Sequence, residues 1–542
     1  MATTEATFGT VDYVVFILVL VGTSAIGVIQ GIIGFIKQRN GKAKQAEEDD
    51  VGVKNLSIWP ASLSIMASVS AAPFVLGIPA EIYAYGTMFS LLVFAYVALP
   101  FMSHILYERW YKMGITSMYE YLELRYNKIL RSIATALFAL ALLIYSGVIV
   151  YAPALAFSQV SGVDINLCIV LVGVIGIVYT AVGGLKGVLW VDALQMLIIL
   201  GSVIAIIAEG CSRVGGIAKV WEIADEGQRI QFDVVSADPR VRHTVFTQII
   251  GGFFFVMVMF CNQAVLQKFL GLPSVTKMHV TAYISMAAVM LYFSLFCLSG
   301  LVIYAYYAGC DPILGERVSE GDQLVPLFVL EVFSDAYGFP GLFTAAVFGA
   351  TLSSIAGAMN AMAAVTLLDV IQPLVKMINP EAKPDPKKTM LAFKALVVIY
   401  GILIVGIAFI TPFMGSSVIE LSLSIVGTLG APIMALFLIG VIFPFVNSWG
   451  AGAGCLVSLI VCVWLNLGTV ITGTKTAIRL PLDDTQCPSN VTATVQPLAS
   501  EDRSPLDDFY EISYLWYSLL GCAITVVVAI GVSAVTGKQL II

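Results

Sequence analysis

Charge is what this chain has least of. Asp, Glu, Lys and Arg make up 12% of its 542 residues, about half the share of a water-soluble protein. With 59% hydrophobic residues and a mean hydropathy of +0.93, that shortage excludes a soluble globular body. Histidine is nearly missing: His104, His243 and His279 stand far apart in different loops and span ends. No HExxH, CxxC pair, GxSxG elbow or GxxxxGK[ST] loop occurs, so the usual signatures of metal, thiol, serine and phosphate chemistry are absent. The expectation is a protein that is not an enzyme. Its net charge of −7 is spread over loops of both signs and points neither to nucleic acid nor to an obligate protein partner.

What the chain has instead is apolar runs. A bilayer core of roughly 30 Å takes about 20 helical residues. About thirteen runs are long enough: 13–36, 57–80, 87–107, 130–157, 165–183, 188–209, 247–270, 281–307, 339–362, 390–413, 418–443, 448–470 and 513–536. Only helices satisfy their backbone within one segment in lipid, so the fold class is an all-α polytopic membrane protein filling 1–542 as a single domain.

Residues 1–12 hold no Lys or Arg, whereas a cleavable signal starts with a basic region. Lys37, Arg39, Lys42 and Lys44 follow the first span instead, which sets the amino terminus outside and the carboxyl terminus inside. On that arrangement 19 of the 28 Lys and Arg face the cytoplasm, with Arg240 and Arg242 against the trend. The longest polar stretches, 210–246, 308–338 and 471–512, fall outside. Asn490-Val491-Thr492 is then a glycosylation sequon in an outside loop, while Asn55-Leu56-Ser57 lies inside and stays bare. Cys211, Cys310 and Cys487 also sit outside, and any two could pair. The short tail after Lys538 leaves little room for a regulatory domain.

Ionisable groups within spans are expensive and mark ion or substrate routes. Asp192 is such a group. Glu81 and Asp369 lie nearer span ends, where reaching water is the simpler reading. The stretch FGATLSSIAGAMNAMAAVTLLDV at 348–370 is apolar yet carries Thr351, Ser353, Ser354 and Asn360. On a helix the carbonyl of Ala350 points toward residues 353 and 354, so three oxygens can gather there as part of a cage for Na⁺. Two other readings fit the same residues: hydroxyls that bond back to their own helix, and a small-residue stripe of Gly349, Ser353, Gly357 and Ala361 for close packing.

Two spans are interrupted. SLSIMASVSAAPFVLG at 62–77 carries Pro73, which removes a donor and disturbs the carbonyls of residues 69 and 70. IIGGFFFVMVMFCNQAVLQK at 249–268 has Gly251-Gly252 and a deep Asn262-Gln263. Counted from the second span, these are the first and sixth of ten. Matching breaks in two halves indicate an inverted repeat with an ion site near the midplane; the alternative is two isolated kinks. No Lys or Arg is expected deep in these spans to pair a carboxylate, and a half-helix amino terminus could do so instead.

YTAVGGLKGVLWVDALQ (179–195), TSMYEYLELRYNKILR (116–131), NQAVLQKF (262–269) and TLSSIAGAMNAMAAVTLLDVIQP (351–373) together resemble the sodium:solute symporter family over about 13–535. FYEISYLWYSLLG (509–521) resembles its branch of monocarboxylate, multivitamin and iodide transporters. The resemblance implies a leucine-transporter-like fold: an extra helix at 13–36, a five-plus-five inverted-repeat core over 57–443 and two further helices at 448–536. It implies Na⁺ ligands from the carbonyls of Ala67, Ser70 and Ala350 and the hydroxyls of Ser353 and Ser354, with Asp192 nearby. It also implies a substrate pocket lined by Phe74, Asn262 and the region from Ser422. The pocket departs from many relatives: Phe74 replaces a glutamine, Val258 and Met259 stand where aromatics are common, and Phe260 and Cys261 replace smaller residues. The function implied is plasma-membrane import of a small organic solute, a monocarboxylate or vitamin-like anion, coupled to Na⁺. A sodium-binding sensor or sodium-leak channel on the same fold is the alternative.

Overall fold

The computed structural model describes residues 7–39, 56–115, 117–182, 185–379, 386–415, 417–472, 479–482, 487 and 506–537. Asn490 and its sequon, Asn55, and the tail from Lys538 lie outside the described residues. Among the described residues there are helices and no strands. The helices used below are α1 (Thr10–Arg39), α2 (Ile58–Ala67), α3 (Ala72–Tyr85), α4 (Thr87–Met113), α5 (Lys128–Ser161), α6 (Ile165–Val182), α7 (Leu185–Val214), α8 (Thr247–Phe260), α9 (Gln263–Leu270), α10 (Val275–Tyr307), α11 (Phe339–Thr366), α12 (Pro386–Ile410), α13 (Val418–Ile442), α14 (Ser448–Thr472) and α15 (Trp516–Thr536). Nine of the described helical segments are long and apolar enough to cross a membrane, and the two bent pairs α2–α3 and α8–α9 bring the number to 11. Shorter apolar stretches at Thr10–Thr23 and Ile165–Ala181 fall where the first and fifth runs were expected.

Both interruptions are real breaks, of 62° between α2 and α3 and 70° between α8 and α9, and they stand five spans apart. Pro73 does not kink a helix from within, however. The chain tightens at the end of α2, where Val69 N–H reaches Met66 and Ser70 N–H reaches the Ala67 carbonyl, both at 3.1 Å. Pro73 then lies in the first turn of α3, where a missing N–H costs nothing and a fixed φ favours the start of a helix. At the second break Asn262 is extended, and its side-chain oxygen accepts from Ala264 N–H at 2.8 Å, capping α9.

Helix α11 is the most enclosed of the spans: 83% of its most apolar stretch is buried, against 22% for the span at Lys388–Met414. It packs against α1, α5, α6 and α7, so its oxygens meet protein rather than lipid. Gly349 presses on the Gln195 side chain of α7, whereas Gly357 has open space beside it; the small-residue stripe serves packing only in its first half. α2 lies on α7 and α10. At one end of the bundle Cys310 and Cys487 form a disulfide, leaving Cys211 as a free thiol.

Candidate cation site and transport path

Asp192, buried on α7, is the point where four helices meet. Its Oδ2 accepts from Ser64 Oγ of α2 at 2.8 Å, and its Oδ1 accepts from Ser353 Oγ of α11. Lys268 of α9 sets its ammonium 3.5 Å from Oδ2. The same ammonium donates to the Ser64 carbonyl and the Ser68 hydroxyl, each at 2.7 Å. Ser353 therefore does not bond back to its own helix, although Thr351 does, through the Val347 carbonyl. Ser64 and Ser68 are one turn apart, so both present oxygen to the same side of α2.

Lys268 corrects the expectation that no basic side chain lies deep in these spans. It has only 15% of its side chain exposed. A lone Lys close to a helix end reads as one that snorkels to water, and its partners lie far away in sequence. The recoverable signal is the pairing of an intramembrane Lys with an intramembrane Asp, since each is expensive alone.

The other expected ligands are placed less uniformly. Ser70 is fully buried and its hydroxyl donates to the Met66 carbonyl at 2.7 Å, which leaves its carbonyl as the group available to a cation. The Ala67 carbonyl already receives Ser70 N–H. Ala350 is buried and Ser354 half-buried on α11. Of the three residues expected to line the substrate pocket, Phe74 is buried in the first turn of α3. Ser422 is buried and donates to the Val418 carbonyl at 2.8 Å. Asn262 is half-buried and caps α9. Val258, one of the departures, fills the space over Gly430 on α13.

Glu81 and Asp369 do not reach water. Glu81, 2% exposed, accepts from Arg242 Nε at 2.7 Å and lies 3.1 Å from His243 Nε2. Arg242 also donates to Glu420 of α13 at 3.0 Å and lies over the rings of Tyr85 and Tyr514. This cluster ties α3 to α13 at the end of the bundle that carries the disulfide. It also explains why Arg242 runs against the charge trend: a buried, paired Arg does not act as a solvated loop charge. Burial pushes the His243 imidazole below its ordinary value, against the pull of Glu81. Asp369 is held by Arg131 and by Thr135 Oγ1 at 3.0 Å.

The turn Gly321–Gln323 closes over the same end. Asp322 Oδ2 accepts from Val418 N–H at 2.9 Å at the start of α13, and a methyl on Gly77 of α3 would meet Asp322 Oδ1 at 3.4 Å and Ile419 Cβ at 2.6 Å. Burial pushes the Asp322 carboxyl up to about 7.

The model of the sodium:solute symporter family matches residues 51–458. The chain belongs to the sodium:solute symporter family. Among similar proteins, sodium-coupled monocarboxylate transporter 2 of Mus musculus is 37% identical over 533 residues, 97% of this chain and 84% of that protein. The sodium-dependent multivitamin transporter of Oryctolagus cuniculus is 35% identical over 542 residues, 98% of this chain and 83% of that protein. A Na⁺-coupled sialic acid symporter, solved in a substrate-bound outward-open state, has 22% identity and a TM-score of 0.76 over 99% of this chain and 100% of that one. That likeness shows the fold. The symporter is thus a multi-pass helical membrane protein with Na⁺ as its co-transported ion, as the family resemblance implied.

Proposed function

We propose that this symporter imports a small organic anion bearing a single carboxylate across the plasma membrane, driven by Na⁺ held against Asp192. The observation that carries the reading is the convergence of Ser64, Ser353 and Lys268 on that one carboxylate. Helices α2 and α7 come from the first five spans of the repeat and α9 and α11 from the second five, so an ion held there links the two halves. Both ligands of a coupled carrier must favour the same conformation, and an ion bridging the halves does so.

Lys268 supplies the positive charge at Asp192 in this structure. Na⁺ would share with it the Asp192 carboxylate and add the Ser353 hydroxyl and the Ser70 and Ala350 carbonyls with Ser354. Its arrival displaces the ammonium from Asp192, and its departure lets the ammonium return, so the carboxylate is never left bare in a poorly solvated place. An inward potential adds roughly 2.3 kcal/mol per charge per 100 mV.

The solute's carboxylate has a candidate partner in the amino terminus of α3. No side chain caps that helix, in contrast to α9, which Asn262 caps. Pro73 has no N–H and those of Phe74 and Val75 reach the Ala71 carbonyl, so what this end offers beside Phe74 is its positive dipole end, with Ser422 and Asn262 toward the other walls. The monocarboxylate and multivitamin transporters among its relatives support an anion of this class. The Cys310–Cys487 disulfide supports an extracellular Cys310 end, since such bonds persist on the oxidising side, and with it about thirteen spans, an outside amino terminus, an inside carboxyl terminus and glycosylation at Asn490. Oocytes expressing the chain should concentrate a labelled monocarboxylate in sodium and not in choline, with saturation. Uptake that ignores the replacement of sodium, or selects sugars or halides alone, would refute the reading.

A further inference from the structure

We infer that the cytoplasmic end of the bundle carries a site for a divalent d-block cation of the zinc type, built from His104, Glu108 and His279. Two of the chain's three histidines meet here, with rings stacked at 3.9 Å between centroids. One donor atom from each of the three residues lies within 4.8 Å of the other two. His104 and Glu108 are one turn apart on α4, where a single π-turn runs over Ser103–Tyr107, and His279 lies in the second turn of α10.

The hydrogen bonds fix which nitrogen faces the ion. Ser103 Oγ donates to the Pro100 carbonyl at 2.8 Å. With that proton engaged, the tautomer that satisfies both groups has His279 Nδ1, 3.1 Å away, donating to Ser103 Oγ. Nδ1 carries the hydrogen, and Nε2 of a neutral His279 presents a lone pair. That lone pair faces Glu108 Oε2 at 3.2 Å, and two acceptors at this distance need a positive ion between them. Either a second proton or a metal supplies it. A buried-side partner on the far nitrogen of a ligating His is the usual second support of a metal site.

The chemistry favours the metal. Bonds of about 2.0–2.1 Å in a tetrahedral site set the donor atoms roughly 3.4 Å apart, and the His279–Glu108 pair already has that spacing. His104 is exposed and bound only to Tyr283 OH at 3.3 Å, so its ring can turn in as the third ligand, leaving the fourth position to water. Lys112 holds the other Glu108 oxygen, Oε1, and so orients Oε2 toward the histidines without standing between them. Two imidazoles and one carboxylate select zinc-type ions over Mg²⁺ or Ca²⁺.

These residues are separate from the helices that meet at Asp192. The 33 residues of α10 span about 50 Å and end three residues before Cys310, so His279 and the disulfide lie at opposite ends. An ion here would clip α4 to α10 on the reducing side.

The test is equilibrium dialysis of the purified full chain against Zn²⁺, with thermal melting beside it. One Zn²⁺ should bind per chain at micromolar concentration or tighter, and should raise Tm. His104→Ala and Glu108→Gln should each weaken binding at least tenfold and abolish the zinc-dependent rise. Without zinc, His104→Ala should melt as the wild type does, which separates ligand loss from misfolding. Cys211→Ser should bind as before, excluding the one free thiol among the described residues that is not buried. Absence of saturable binding, an unmoved Tm, or full binding in both His104→Ala and Glu108→Gln would overturn the site.

Discussion

Lys268 and Asp192 face each other across the two halves of the repeat, with Nζ 3.5 Å from Oδ2. Both are largely withdrawn from water, and each neutralises the other where an isolated charge would be expensive. Lys268 also takes up the Ser64 carbonyl and the Ser68 hydroxyl, so on the proposed reading it would compete with Na⁺ for Asp192.

Removing that competitor should separate occupancy from stability. Lys268→Gln should lower the sodium concentration for half-maximal uptake several-fold. In choline it should also cost about 3–5 kcal/mol of stability, the usual cost of stranding one member of a buried pair. Sodium should restore that loss. Melting curves in sodium and choline check both statements, and a variant whose Tm is equally low in either salt would remove Lys268 from the ion's path.

The opposite substitutions remove the attraction. Asp192→Asn should raise the half-maximal sodium concentration by tenfold or more, because it deletes the one formal negative charge at the site. Ser353→Ala should do so by a smaller factor, several-fold, near the net worth of one hydrogen bond, about 0.5–1.5 kcal/mol. Sodium-activation curves for labelled solute uptake measure both. Unchanged curves in the pair would move the ion elsewhere.

Much of this site was legible before any coordinates. Asp192 stands out as an acid inside an apolar run, Ser353 and Ser354 as hydroxyls on a span, and the two interrupted spans as matching breaks. What the sequence conceals is pairing across distance. Glu81 reads as interfacial because its partner Arg242 is 161 positions away, and Asp369 because Arg131 is 238 away. Lys268 is hidden similarly, 204 positions from Ser64. Pro73 shows a different limit: hydropathy places it mid-span, but only backbone geometry tells whether it bends one helix or begins another. Phe74, Asn262 and Ser422 are legible only through resemblance, since two of the three satisfy the protein's own backbone.

Arg242 joins α3 to α13 through Glu81 and Glu420 at the disulfide end of the bundle, and on the proposed topology it should hold the outer end shut. Arg242→Gln leaves the buried Glu81 and the half-buried Glu420 without their guanidinium, again a cost of about 3–5 kcal/mol against the closed form. A cysteine replacing Ser424, which is buried here, should then react faster with an impermeant maleimide than in the Arg242 background. Adding Glu81→Gln should return part of the protection, because neighbouring members of one network are not additive. Equal labelling in all backgrounds would deny the cluster a gating role.

The disulfide tests sidedness. Cys310 and Cys487 are joined across 177 positions. On intact cells, an impermeant reductant followed by an impermeant maleimide should label Cys310, and the maleimide alone should not. Labelling that requires permeabilised cells would invert the topology, and with it the cytoplasmic placement of His104 and His279.

Asp322 gives the closed form a pH dependence whose sign can be worked out. The carboxyl has an ordinary value of 3.8 and rises to about 7 when buried, with Glu320 and Glu81 adding to the rise and Val418 N–H opposing it. The closed form therefore binds a proton that the open, hydrated form has released between these values. Its contribution to closure is fully present below about 4 and is lost as pH climbs through about 7. Opening of the extracellular end should thus become easier from pH 6 to pH 8, seen as faster maleimide labelling of the cysteine at position 424 after correction for thiolate formation. Asp322→Asn stays neutral while keeping an oxygen for Val418 N–H, so it should hold the low-pH labelling rate throughout. Were the slope to persist in Asp322→Asn, another group would be its source, the first to test being His243, whose imidazole burial pushes below its ordinary value.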